Sequence, residues 1–167
     1  MSREGQRIQP GRYTIVPRTL SFLLRGDSVL LLRTAPDRGA WAGSLNGIGG
    51  HIEAGEDPLT AARREIAEES GLGAANLRLC GLIMIDVGGS PGIGLYAYAG
   101  EADPGDPRPG PEGDLTWLPL HSLERERLVE DLPTLLPALM RCYRDRTVLS
   151  ALYQYDETGR LTITLAP

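Results

Sequence analysis

The run Gly50-His-Ile-Glu-Ala-Gly-Glu-Asp-Pro-Leu-Thr-Ala-Ala-Arg-Arg-Glu-Ile-Ala-Glu-Glu-Ser-Gly-Leu72 decides how the rest of the chain is read. It holds a helix whose two ends are written in the sequence. Asp57 is suited to cap the N-terminus, Pro58 fits the first turn, where no N–H is needed, and Gly71 supplies the left-handed stop. On a wheel of roughly 100° per residue, Glu65, Glu68 and Glu69 fall within an arc of about 100°, beside a packing arc of Leu59, Ala62 and Ile66. As a merely solvated face this arc is poorly chosen. Glu65 and Glu69 repel at i, i+4 by about 0.2–0.5 kcal/mol. Glu68 and Glu69 also crowd the helix C-terminus, where the dipole favours cations. A divalent cation reverses both effects, because a hard ion such as Mg²⁺ is satisfied by a few carboxylates together with phosphate oxygens. Just upstream, Gly47-Ile-Gly-Gly50 offers backbone that can approach an ion or a phosphate closely and present carbonyl oxygens to it.

The bulk properties narrow the setting. With 167 residues the chain has room for one core, and residues 13–167 are expected to form a single domain behind a flexible segment 1–12. A composition of 41% hydrophobic and 23% charged residues argues against disorder. No apolar run approaches the roughly 18 residues of a membrane span, and Met1 to Arg7 has no apolar signal region. The expected location is therefore the cytoplasm. A net charge of -5 argues against a nucleic-acid polymer as partner, and an anionic ligand would need recruited positive charge. All 17 basic residues are arginine. That excludes a P-loop and Schiff-base chemistry, both of which need lysine. His51 and His121 are too few to supply a histidine-based triad well, and neither carries a role. Cys80 and Cys142 lie far apart in apolar contexts and read as reduced core thiols.

Around the helix, Thr14 to Leu24 and Ser28 to Arg33 form a hairpin pattern turned at Arg25-Gly-Asp27. The stretch from Gly39 to Gly50 is too rich in turn formers for a helix. Leu77–Val87 and Gly94–Ala99 read as strands with a turn over Gly88 to Gly92. Asp103 to Gly113 is a proline- and glycine-rich loop, followed by a short strand over Leu115–Leu118. A second helix is expected over Leu132–Arg146, entered through Pro133, with Pro137 able to shift its start. Leu152 to Leu165 reads as a closing hairpin turned at Asp156–Gly159. Many strands with few, long helices give an α+β chain, a mixed sheet covered by helices.

Gly50, Glu56 and Arg64-Glu65-Ile66-Ala67-Glu68-Glu69-Ser70-Gly71-Leu72, at their observed spacing, resemble an unbroken Nudix box, the signature of the MutT/Nudix superfamily. Its seven fixed positions coincide by chance about once in 10⁸ starts or fewer. The resemblance implies a Nudix fold, an α/β/α sandwich with a mixed sheet between helices. It also implies hydrolysis of a nucleoside diphosphate linked to another group, with Mg²⁺ as cofactor and Mn²⁺ as a substitute. By the same resemblance, Glu65 and Glu69 bind metal, Glu68 assists, and the Gly49 carbonyl completes the site. Arg64 steadies the glutamates and Glu56 holds the loop against the helix. Glu68 and Glu112 are both candidate general bases, and Glu112 is a further candidate metal ligand.

The segment from Trp41 to Gly50 is similar to the one preceding the box in MutT-like enzymes that destroy oxidised purine triphosphates such as 8-oxo-dGTP. On that likeness Asn46 reads the base, as does the acidic pair Glu130-Asp131, and the products are a nucleoside monophosphate and pyrophosphate. Ordinary roles compete: Asn46 as a turn residue and Asp131 as a helix N-cap. ADP-ribose or another dinucleotide-type diphosphate is the alternative substrate. A nucleotide sensor without turnover is the alternative of another class, against which the intact set Glu65, Glu68 and Glu69 argues.

Overall fold

Arg25 and Ser28 pair across the two-residue turn Gly26-Asp27, with Gly26 at a φ of 56°. This closes strand β1 (Ile15–Arg25) on strand β2 (Ser28–Thr34), the hairpin that the apolar runs predict. The computed structural model describes residues 9–37, 39–108 and 110–166. Residues 1–8 of the expected flexible segment 1–12 lie outside that set.

The remaining strands are β3 (Leu45–Asn46), β4 (Ala74–Asp86), β5 (Gly92–Ala102), β6 (Gly113–Pro119), β7 (Leu149–Tyr155) and β8 (Leu161–Ala166). They join one sheet in the order β3-β2-β1-β5-β4-β7-β8, with β6 also paired to β2. β1 runs parallel to β5 and β4 parallel to β7, whereas the other pairs are antiparallel. The sheet is therefore mixed, as expected. β4 and β5 extend beyond the apolar cores that announce them. Their outer residues are held by ladder pairs such as Ala74 with Ala102, which follow from a neighbour in space and leave no mark in local hydropathy.

Alternation along the central strands sorts two cores. Leu20, Phe22, Val29 and Leu31 face helix α2 (Leu132–Asp145) and pack with its Leu132, Leu135, Leu136 and Leu139. Leu23 and Leu30 face helix α1 (Pro58–Ser70) and pack with Ala62 and Ile66. A period of two in the strands thus puts one helix on each side, giving the α/β/α layering. α2 runs through Pro137 and does not begin after it. The proline lies in the second turn, where loss of one helical N–H is offset by burial of Leu135, Leu136 and Leu139 around it. Among the described residues no helix is long and apolar enough to cross a membrane.

α1 is capped as its sequence dictates. The Asp57 carboxylate accepts the N–H groups of Leu59 and Thr60 at 2.9 and 3.1 Å. Gly71, at a φ of 68°, returns its N–H to the Ala67 carbonyl. Its inward face consists of Ala61, Ala62, Ile66, Glu69 and Ser70. Leu59, placed on the packing arc by the wheel, is 36% exposed in the first turn of the helix. Ile66, at 1% exposed, is the main apolar anchor of the acidic helix. Ile66→Ala is expected to cost about 2–5 kcal/mol in urea unfolding. A cost below 1 kcal/mol would mean that α1 is held to the sheet by something other than this contact.

Candidate active site

Between β1 and α1 the chain runs back along the sheet as a glycine strap. Ser21 and Ile48 exchange N–H···O bonds, and the Thr19 N–H donates to the Gly50 carbonyl at 2.9 Å. The Gly49 carbonyl, between those two attachment points, accepts no hydrogen bond among the described residues. Glycine is required here by contact. A Cβ on Gly49 would overlap the Thr19 carbonyl, and one on Gly50 would overlap the Glu65 carboxylate. The strap therefore brings bare backbone directly against the acidic helix.

Arg64 ties the two together. Its guanidinium donates to Glu56 at 2.7 and 3.0 Å, to Glu65 at 2.8 Å, to Glu68 at 3.1 Å and to the His51 carbonyl at 3.0 Å. These partners hold Arg64 firmly protonated, and hydrogen bonds from Arg64 and the Glu53 N–H keep the Glu56 carboxyl below its ordinary range. The i, i+4 contact of Arg64 with Glu68 also offsets the repulsion among the glutamates.

Glu69 is the exception. It is 7% exposed, and its Oε2 is buried with no hydrogen-bond partner. Burial first, then the charges of Glu112, Glu65 and Glu68, push its carboxyl up to about 8, against a small opposing effect of the Gly49 N–H. Among the described residues no three histidine, cysteine or acidic side chains already converge as a metal cage. Arg64 occupies Glu65 and draws Glu68 outward, where it is 59% exposed. What is present is a half-built site, with one orphaned carboxylate oxygen, negative charge around it and an unused carbonyl on the facing strap. Such a donor set fits a hard divalent ion that keeps part of its water shell.

This corner is one end of a cleft of about 590 Å³. Of the residues singled out in the sequence, Asn46, Gly49, Glu65, Glu69, Glu112, Glu130 and Asp131 line it together. Glu56, Arg64 and Glu68 do not. Glu112 enters from the loop before β6, fixed there by its carbonyl to the Ala35 N–H at 3.0 Å. Asn46 accepts the Gly47 N–H through Oδ1 at 2.8 Å, so the turn role is real and coexists with a place in the cleft. The Asp131 carbonyl accepts from Thr134 and Leu135, but its side chain makes no capping bond. That carboxyl instead meets Tyr153, and burial raises its pKa.

Among the lining residues that escape the sequence reading are Arg18, Tyr153 and Tyr155. The tyrosines sit at i, i+2 on β7, a spacing that puts both on one face of a strand. Arg18 interrupts an otherwise apolar run. Both signals were visible, yet neither says which face borders a ligand.

The NUDIX domain pattern matches residues 15–139. An oxidized purine nucleoside triphosphate hydrolase from Mus musculus is 32% identical over 124 residues, covering 74% of this chain and 78% of its own. The protein of the same name from Danio rerio is 30% identical over 114 residues, 68% and 72% of the two chains. The structure of a MutT protein from Bacillus halodurans superposes with a TM-score of 0.74 at 24% identity, covering 92% of this chain and 99% of that one.

Glu69 also makes the site a stability element of predictable sign. Its ordinary pKa is 4.5 and its folded value about 8, so between them the folded state holds a proton that the unfolded chain has released. Stability of the metal-free protein therefore falls as pH rises through that window. Glu69→Gln is expected to raise the melting temperature of the metal-free protein by several degrees near pH 8 and by little near pH 5 (about those values by the same linkage). Equal gains at both pH values would contradict a buried, charge-strained carboxyl.

With the box intact on its helix and the family pattern spanning most of the fold, the chain belongs to the NUDIX family, enzymes that hydrolyse pyrophosphate bonds and generally use a divalent metal.

Proposed function

We propose that this enzyme uses Mg²⁺, or Mn²⁺ in its place, to hydrolyse nucleoside triphosphates, oxidised purine forms such as 8-oxo-dGTP foremost, to a monophosphate and pyrophosphate. The observation that carries this reading is the orphaned Glu69 oxygen at one end of a cleft that also holds Asn46 and Asp131. The relatives that act on oxidised purine triphosphates support the choice of substrate.

In this reading Glu65, Glu69 and the Gly49 carbonyl hold the ion. When bound, it neutralises phosphate oxygens and makes a nearby water more acidic. Arg64 keeps the Glu65 carboxylate turned to the strap and leaves Glu69 to the cleft. Glu56 fixes Arg64 from the other side, so both act by positioning. Glu112 lines the cleft and is the better placed general base. Glu68, exposed and bound by Arg64, assists by adding negative charge. Asn46 offers its amide NH₂ to the base, since Oδ1 is already engaged. Asp131, against Tyr153 in the wall of the cleft, faces the purine edge, and Glu130 lies beside it in the same wall.

A pyrophosphate- and phosphate-release screen tests this with nucleoside triphosphates, their oxidised purine counterparts, ADP-ribose, NADH and dinucleoside polyphosphates. Glu69→Gln is expected to lower kcat/KM by about a hundredfold or more, and undiminished activity would remove the metal assignment. Asp131→Asn is expected to lower the preference for oxidised over unmodified purine triphosphates by about tenfold or more. Preferred cleavage of ADP-ribose would overturn the substrate. Tight nucleotide binding without turnover would make the chain a sensor.

A further inference from the structure

Among the described residues one positively charged group lines the cleft, and it has no role in the reading above. Arg18 pairs with Leu95 in the β1–β5 register, is bridged to His51, and lines the cleft beside Leu20. It is the one arginine among the described lining residues, which include six carboxylates. It nevertheless forms no hydrogen bond or ion pair among the described residues, and its Nε is buried without an acceptor. Other arginines find partners: Arg33 binds the Gly43 carbonyl and Glu126, and Arg25 stacks on Trp117. A buried donor left unmatched costs about 1–3 kcal/mol, and more when charged. A guanidinium stays protonated at every relevant pH, so it cannot escape that cost by losing its charge.

Position identifies the missing acceptor. Arg18 stands where the strap ends, next to the Thr19–Gly50 hydrogen bond, and Gly50 in turn abuts the Glu65 carboxylate. Asn46 is at the other end of the strap, paired with Leu32 of β2. The backbone of Arg18 thus lies at the Gly50 end of the strap, the end that meets the acidic helix and to which the proposed function brings the phosphate chain, and its side chain lines the cleft. We infer that Arg18 binds the phosphate chain of the substrate directly, as the fixed positive charge of an otherwise acidic cleft. This rests on the proposed function in taking a phosphate anhydride as the ligand.

Titration calorimetry in Mg²⁺ with inorganic pyrophosphate, dGTP (as its non-hydrolysable α,β-methylene analogue) and deoxyguanosine compares the wild type with Arg18→Gln and Arg18→Lys. Arg18→Gln is expected to weaken pyrophosphate and dGTP binding by about ten- to a hundredfold and to leave deoxyguanosine unchanged. Arg18→Lys recovers part of the loss, since it keeps the charge and not the planar fork. In turnover the loss appears in KM more than in kcat. Equal weakening of nucleoside and triphosphate would make Arg18 a base-reading or structural residue and overturn the inference. So would no weakening at all, or a wild type that binds none of the phosphate compounds. If the wild type instead prefers ADP-ribose to oxidised purine triphosphates, the proposed substrate fails while the pyrophosphate arm still decides the role of Arg18.

Discussion

The planar fork of Arg64 is the constraint from which the site is built. One guanidinium spans two carboxylates of its own helix, the Glu56 carboxylate from the loop before it and the His51 carbonyl at the end of the glycine strap. Those groups come from three backbone segments that share no secondary structure. A lysine could meet the charges singly, but its ammonium lacks the fixed geometry that holds them in register. Because Arg64 is itself only partly exposed, these bonds are less screened than a surface pair. The strap is thereby pinned to the helix at one end by Arg64 and to β1 at the other by Ser21 and Thr19. The close approach of Gly50 to Glu65 follows from those two attachments.

That arrangement separates the glutamates by environment through their donors alone. Glu65 and Glu68 are neighbours of Glu69 on one turn of helix, with the same side chain, yet Arg64 reaches only the first two. Glu69 is rotated toward the sheet, where Ser70 and Ile66 beside it are also buried. There it meets the field of three carboxylates with no fixed cation of its own. The fold therefore tolerates an electrostatic defect at one atom, and the surrounding hydrophobic contacts of Ala62 and Ile66 offset it. Placing the defect on a capped helix, and not on a loop, keeps its position rigid.

The helix, its caps and its acidic face were legible because each depends on residues within one or two turns of one another. The hairpins were legible for the same reason, with their turns marked by Gly26-Asp27 and by Asp156, whose carboxylate gathers the N–H groups of Thr158 and Arg160. What was not legible came from pairing at a distance. The added length of β4 and β5 depends on each other's edges. The site divides in the same way. Glu65 and Glu69 belong to a local pattern, whereas Arg18 and Tyr153 reach the cleft through strands more than a hundred residues apart in the chain. Tyr153 is buried against Asp131 only because β7 lies parallel to β4, a relation that no local spacing encodes.

Charge balance gives these pieces a common logic. An enzyme that must hold a cation needs surplus carboxylates, and one that must hold a polyphosphate needs positive charge. Placing both freely in one cleft would let them neutralise each other. Here the two requirements are kept apart by geometry. Arg64 lies outside the cleft and binds Glu65 and Glu68, while Glu69 and Glu112 line the inside. Arg18 lies inside but is held on a strand with no ion pair to those acids. In a chain without lysine both tasks fall to arginine. The guanidinium suits each, since it remains charged when partly buried and its donors are directional. A flexible ammonium at position 18 could fold back onto the carboxylates, whereas the planar fork of Arg18, its Nε buried without an acceptor, keeps its charge for a ligand that arrives from solvent.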